Sequence, residues 1–281
     1  MRICTFTVAG DPHPRCGVLE GEAVTEVEAG GVVEFLAAGL SAGNGRSYQL
    51  DDVELLAPIP EPPSIRDFFA FEQHVRTCRA KRGQEVPAFW YEEPVFYFTN
   101  PAAVIGPYAD LVHPAGVRQL DYELEVAAVI GADGDIAGFT ILNDWSARDL
   151  QRAETTVGLG PAKAKDFATT LGPVLVTRDE FPGTAGRMTA TVNGEPRSAG
   201  DLAALHYSWA DLVERAGRNT RLRPGDVLGS GTVGTGCILE SADERWLEAG
   251  DVVSLTVDGL GTITNRVVSA PPAGTTRVGH S

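Results

Sequence analysis

No apolar run in this sequence approaches the ~20 residues that a membrane-spanning helix needs. The opening stretch MRICTFTVAGDPHP also lacks the apolar centre of a secretory signal. Cysteine is sparse. Cys4, Cys16, Cys78 and Cys237 form neither a Cys-x-x-Cys pair nor a dense framework, which excludes a disulfide scaffold and a zinc knot read from spacing. Positive charge is short as well: 23 Lys and Arg stand against 38 Asp and Glu, a formal charge of −15. Such a balance repels nucleic acid and anionic membranes and argues against both as partners. Internal repeats are missing too. These absences together lead us to expect a reduced, cytoplasmic protein acting on a small molecule.

What the chain does contain is turn-forming: 32 glycines and 18 prolines, beside 43% hydrophobic residues. That pairing fits a β-rich fold with a sizeable core. Strand-like runs at 2–8, 16–19 and 23–27 precede a short helix near 32–38. Prolines crowd positions 58–63, where fixed φ angles read as an extended linker. Beyond it, residues 67–83 read as irregular to helical, and PVFYF, ELEVAAVIG and GFTIL read as strands. Asn193-Gly194 and Asp258-Gly259 each signal a hairpin with a type I′ turn. Apolar residues at helical spacing over 201–216 predict a helix stopped by Gly217. We therefore expect a mixed, β-rich α+β fold. Its parts are a small N-terminal β domain (residues 1–57), a larger domain (58–275) and a loose tail (276–281).

The most informative stretch is Asp121-Tyr-Glu123-Leu-Glu125, running into VAAVI. In a strand, alternate side chains share a face, so the three acids point one way. An isolated pattern of this kind more often marks a solvent-facing edge strand. Here the uninterrupted apolar continuation predicts burial on both faces. Carboxylates two residues apart are ~7 Å apart and repel by about 2 kcal/mol at an effective dielectric of ~20. Buried, they need protons or a cation. An all-oxygen site suits Mg²⁺, with Mn²⁺ or Ca²⁺ as alternatives. Asp144, after the apolar run GFTIL and Asn143, is the next acid in a comparable setting.

The run GFTILNDWSARDLQ (138–151) resembles the motif that follows the Glu-x-Glu strand in the fumarylacetoacetate hydrolase family. GPAKAKDFATTLGPVLVT and RPGDVLGSGTVGTGCILE follow in that family's order, and RDFFAFEQH (66–74) resembles its histidine segment. The likeness spans roughly residues 60–270 and implies a β-sandwich or barrel-like C-terminal domain. It implies Glu123, Glu125, Asp144 and Asp67 as metal ligands. His74 is implied as general base, paired with Glu240. Arg148, Gln151 and Lys165 are implied as binders of substrate oxygen, and Thr232 as a substrate contact. Lys163 is a rival to Lys165, which alone stands two residues before a phenylalanine, Phe167. Phe69 and Thr155 stand where fumarylacetoacetase has substrate-touching tyrosines. The family commonly forms homodimers.

These residue types serve hydrolysis of a carbon–carbon bond in a β-diketo acid such as an acylpyruvate. Histidine takes a proton from water near neutrality, and a glutamate orients it. Cationic and amide donors stabilise an oxyanion. A metal acting as Lewis acid polarises the dicarbonyl. The alternative is a lyase or isomerase of the same fold, such as an oxaloacetate decarboxylase, a hydratase or an enol–keto isomerase; a decarboxylase needs the metal to hold the enolate but no activated water. A non-catalytic homologue is disfavoured because every motif position is filled. The remaining histidines (His13, His113, His206, His280) carry no motif, and GSGTVGTG lacks the GK[ST] ending of a phosphate loop.

Phe69 and Thr155 generate a prediction about substrate. A hydrogen bond to a charged group contributes roughly 1.5–3 kcal/mol. Losing two tyrosine hydroxyls thus weakens a substrate that demands both by ~10²-fold or more. Fumarylacetoacetate is expected to be a poor substrate beside simple acylpyruvates in kcat/KM under one metal condition. A tenfold advantage for fumarylacetoacetate would overturn the inference.

Overall fold

A computed structural model describes residues 1–40 and 45–270; the expected tail at 276–281 lies outside the described residues. The strands that position the site are β1 (Arg2–Val8), β2 (Asp11–Glu20), β3 (Ala23–Glu26), β4 (Ser47–Gln49), β5 (Ile65–Phe68), β6 (Phe96–Thr99), β7 (Leu124–Ile130), β8 (Ile136–Asp144) and β9 (Thr169–Thr177). They continue as β10 (Arg187–Val192), β11 (Glu195–Asp201), β12 (Val227–Gly229), β13 (Val252–Val257) and β14 (Gly261–Val268). One large sheet runs β4-β3-β2-β1-β9-β8-β7-β12-β5-β6. A five-stranded sheet runs β11-β10-β13-β14 and ends on Leu111–Val112. The N-terminal strands join the large sheet through the antiparallel β1–β9 pair.

Strand β7 explains the layering. Its even-numbered side chains, Leu124, Val126, Ala128 and Ile130, pack into a core shared with Met188, Leu255 and Ile263 of the small sheet. Its odd-numbered Ala127 and Val129 join the opposite core with Ile3, Phe35 and Ile65. Both faces of the large sheet are therefore covered at its centre, as a fully apolar strand requires. The result is a β-rich sandwich with few helices, the longer ones being α1 (Val32–Ala37), α2 (Glu72–Ala80), α3 (Arg148–Thr155) and α4 (Trp209–Gly217). No helix among the described residues is long and apolar enough to cross a membrane.

Three local expectations change. The acidic stretch is not one strand. Leu120–Asp121 pairs with Ser146–Ala147, Tyr122 and Glu123 lie outside any strand, and β7 starts at Leu124. The break lets Tyr122 turn inward and bond Ser198 at 2.7 Å. The helix expected from 201 starts at Trp209, because Ser208 caps it in a reciprocal box with Asp211. Leu202 sits instead in a separate 3₁₀ turn, and Gly217 ends the helix from within. Asn193-Gly194 does form its hairpin, with φ of 55° and 78° as a type I′ turn demands. Asp258-Gly259 does not form that turn. The β13–β14 pairing closes at Val257–Gly261 around three residues, with positive φ at Gly259 but not at Asp258.

Trp145, next to Asp144, packs into the core that the two layers share. It is fully buried and donates its indole N–H to Thr170 at 2.9 Å. Trp145→Ala is expected to cost about 3–5 kcal/mol, as large aromatic truncations do, read by urea unfolding. A loss below about 1 kcal/mol would contradict this packing account.

Candidate active site

At one end of the large sheet, neighbouring strands deliver acids to a single point. Asp67 on β5 lies beside Gly229 of β12, which lies beside Ala127 of β7. Glu125 precedes Ala127 by two residues and so shares its face. Asp144 ends β8, paired with Thr169. Gly229 is what permits the approach: a Cβ there would meet Asp67 Oδ1 at 2.4 Å and Glu125 Oε2 at 3.1 Å. Asp67, Glu123 and Glu125 bring carboxylate oxygens within 4.8 Å of one another, all buried.

Two buried cations answer part of this charge. Arg148 donates through Nε to Asp121 at 2.8 Å and through NH2 to Glu123 at 2.7 Å, while NH1 reaches Gln151 at 3.1 Å. Lys165 Nζ bonds Glu123 and, at 2.5 Å, Asp144. Burial opposes ionisation of Glu123, but Arg148 and Lys165 outweigh it and hold its pKa below the ordinary range. Burial opposes the charge on Lys165 too, and Asp144 and Glu123 raise its pKa above the usual value. Lys163, the rival lysine, lies exposed on Asp166.

Asp67 and Glu125 have no such partner. Burial first, then nearby negative charge (Asp144 for Asp67, Asp67 and Glu123 for Glu125), pushes both well above the carboxylate range. Glu125 receives only the Gly231 amide at 3.1 Å and the Thr232 hydroxyl at 3.3 Å. Asp67 Oδ1 and Asp144 Oδ1 are buried without any hydrogen-bond partner. Unpartnered buried carboxylate oxygens facing a cluster of like charge are what a hard divalent cation satisfies, so the donor set fits one.

These groups line a cavity of about 260 Å³, near the small end of ligand pockets, which begin at roughly 300 Å³. Its walls include Asp67, Glu123, Glu125, Arg148, Gln151 and Lys165, as well as Phe69, Thr155 and Thr232. His74 on α2 also faces it, with Phe69 edge-on at 5.3 Å. His74 Nδ1 lies 2.9 Å from Glu240 Oε2, and both side chains are buried. Burial pulls the imidazole pKa down. Cys78, Cys237 and Glu240 around it pull harder and leave it well above the ordinary histidine value. Helix α2 thus buries His74, Val75 and Cys78.

Reading the sequence missed Tyr97, Arg79 and Arg82 and misplaced Asp121. Tyr97 lies opposite Asp67 across β5–β6 and donates to Asp144 at 2.5 Å; only the strand pairing reveals it. Asp121, grouped with the cluster acids, turns to Arg148 and accepts from the amides of Ile238 and Leu239 at 2.7 and 3.1 Å. It thereby anchors the turn that carries Glu240. Arg79 and Arg82, one helical turn beyond His74 and past the helix end, also line the cavity.

The sequence matches the family described as fumarylacetoacetate (FAA) hydrolase C-terminal over residues 64–268, and one described as Rv2993c-like, N-terminal, over residues 1–58. It is 32% identical to oxaloacetate tautomerase YisK of Bacillus subtilis, covering 78% of this chain and 75% of that one. With the fumarylacetoacetase of Oryza sativa subsp. japonica the identity is 28%, over 79% of this chain and 72% of the relative. Among solved structures, 5-carboxymethyl-2-hydroxymuconate delta-isomerase from Mycobacterium smegmatis superposes with a TM-score of 0.78 at 30% identity. That match covers 96% of this chain and all of the other.

Because Glu125 is buried beside like charge, Glu125→Gln is expected to leave the metal-free protein at least as stable as wild type. It should also weaken Mg²⁺ binding at least tenfold, since loss of mere supporting residues already costs ~10–100-fold. Thermal unfolding with Mg²⁺ and with EDTA checks both: Mg²⁺ raises the Tm of wild type and not of the variant. An equal rise in both proteins would contradict the assignment.

Proposed function

The chain belongs to the fumarylacetoacetate hydrolase family, and from that premise we propose that it is a divalent-metal-dependent hydrolase of a small β-diketo acid. The bond broken joins the acyl carbonyl carbon to the neighbouring methylene, and the products are a carboxylate and a 2-oxo acid. Asp67, Glu123, Glu125 and Asp144 are the residues that would hold the metal. When bound, the ion supplies Lewis acidity that polarises the dicarbonyl and spreads the charge of the departing enolate.

The His74–Glu240 pair carries this reading. A buried imidazole with a carboxylate at 2.9 Å on one nitrogen is fixed in orientation and stabilised once protonated. In its neutral form, which the raised pKa confines to the higher end of the pH range, His74 accepts the proton of an incoming water, which adds to the acyl carbonyl. The same histidine, now an acid, returns a proton to the leaving carbon, so the protons balance. Lys165 and Gln151 are the wall donors that can meet the developing oxyanion. Arg148, committed to Asp121 and Glu123, holds Glu123 in place. Phe69 keeps water away from one side of the imidazole.

A second reading has its own support. The oxaloacetate tautomerase relative performs, by its name, an enol–keto interconversion. That reaction needs a base and a polarised carbonyl but no attacking water. Product analysis separates the two: hydrolysis consumes water and yields two acids, whereas tautomerisation returns one compound of unchanged mass.

His74→Ala is expected to lower hydrolysis of acylpyruvates by ~10²–10⁴-fold, the range of general base catalysis, with Mg²⁺ binding retained by calorimetry. Hydrolysis persisting near the wild-type rate would move the base elsewhere.

A further inference from the structure

The far side of His74 holds chemistry that hydrolysis does not use. Residues 74 and 78 are four apart on α2 and share a face. Cys78 Sγ lies 3.6 Å from His74 Nε2 and 3.8 Å from Nδ1. Facing them is a 3₁₀ turn, Ile238–Glu240, entered from Cys237. Side chains three apart eclipse in a 3₁₀ turn, and Cys237 Sγ accordingly sits 3.6 Å from Glu240 Oε2. The donor atoms of His74, Cys237 and Glu240 all lie within 4.8 Å of one another. All of these side chains are buried.

The spacing carries a specific meaning. Donors held ~2.0–2.3 Å from a tetrahedral Zn²⁺ lie roughly 3.3–3.8 Å apart. The Cys237–Glu240 separation of 3.6 Å falls inside that range. The His74–Glu240 separation of 2.9 Å is that of a hydrogen bond, and it would have to widen by roughly 0.4 Å to admit an ion. We propose that His74, Cys237 and Glu240 form a second metal site, separate from the carboxylate cluster and selective for a borderline-soft cation of the Zn²⁺ class. The thiolate selects against Mg²⁺, which keeps to oxygen ligands. On binding, the Cys237 thiol proton and the proton between His74 and Glu240 pass to solvent. With three protein ligands, a tetrahedral ion would take a water as its fourth.

Occupation removes His74 from proton transfer, so such a cation inhibits the enzyme. That consequence rests on the reading of His74 as the base, whereas the metal site does not. The device couples activity to the availability of free Zn²⁺ through ligands that only folding brings together, since positions 74 and 237–240 lie far apart in the chain.

The probe is Co²⁺, added to wild-type protein already saturated with Mg²⁺ and followed by absorption. The expected result is a near-ultraviolet thiolate-to-cobalt band saturating at one ion per chain. The band is lost in Cys237→Ser and in Cys237→Ala, and kept in Glu125→Gln, whose carboxylate site is impaired. In parallel, Zn²⁺ inhibits Mg²⁺-loaded wild type. The Cys237 variants need at least tenfold more Zn²⁺ to lose half of their own uninhibited rate. No thiolate band in wild type, or a band surviving in both Cys237 variants, would overturn the site. Equal Zn²⁺ sensitivity in wild type and variants would overturn the inhibition. A band without inhibition would leave the site standing and remove His74 as the base.

Discussion

The structure turns on an excess of buried negative charge. Asp67, Asp121, Glu123, Glu125 and Asp144 are all buried, and Arg148 and Lys165 are the buried cations that face them. Asp121 is satisfied by Arg148 and two backbone amides. Glu123 and Asp144 share Lys165. Asp67 and Glu125 are left facing each other, and no apolar packing relieves that repulsion. A protein gains nothing in stability from such an arrangement, so its purpose lies in what neutralises it.

The large sheet makes the arrangement possible. Adjacent strands ~4.8 Å apart bring side chains from distant parts of the sequence to one edge. β7 can be apolar on both faces because each face has its own core. The start of β7 is therefore packed on both sides, and Glu125 sits there fully buried. The approach of Asp67 depends on a missing side chain at Gly229, where a Cβ would stand 2.4 Å from a carboxylate oxygen. The two sets of candidate residues then stand on separate supports. The strands hold Asp67, Glu125 and Asp144, with Glu123 just before β7, while α2 and the turn before Ser241 hold the His74–Glu240 pair.

Much of this was legible in the sequence for identifiable reasons. The run from Leu124 to Ile130 has no polar residue after Glu125, so burial on both faces follows from composition alone. The β-rich architecture follows from glycine, proline and short alternating runs. Asn193-Gly194 carries its own turn geometry. Other features depend on contacts that no local pattern encodes. Tyr97 reads as one aromatic among several in FYFT until β5 and β6 pair it with Asp67. Asp121 looks equivalent to Glu123 and Glu125 until the strand breaks and Arg148 claims it. Cys78 and Cys237 carry no metal spacing in sequence and meet only around His74. Helical periodicity over 201–216 could not reveal that Ser208, by capping, would delay the helix to Trp209.

The central claim is that the uncompensated carboxylates are a divalent-cation site. It is tested most directly by titrating the EDTA-stripped wild-type protein with Mn²⁺ and following the ion by electron paramagnetic resonance. The account predicts one saturable site per chain, with an all-oxygen environment and release of the ion by Mg²⁺. Failure to saturate, or a bound population that Mg²⁺ does not displace, would contradict it.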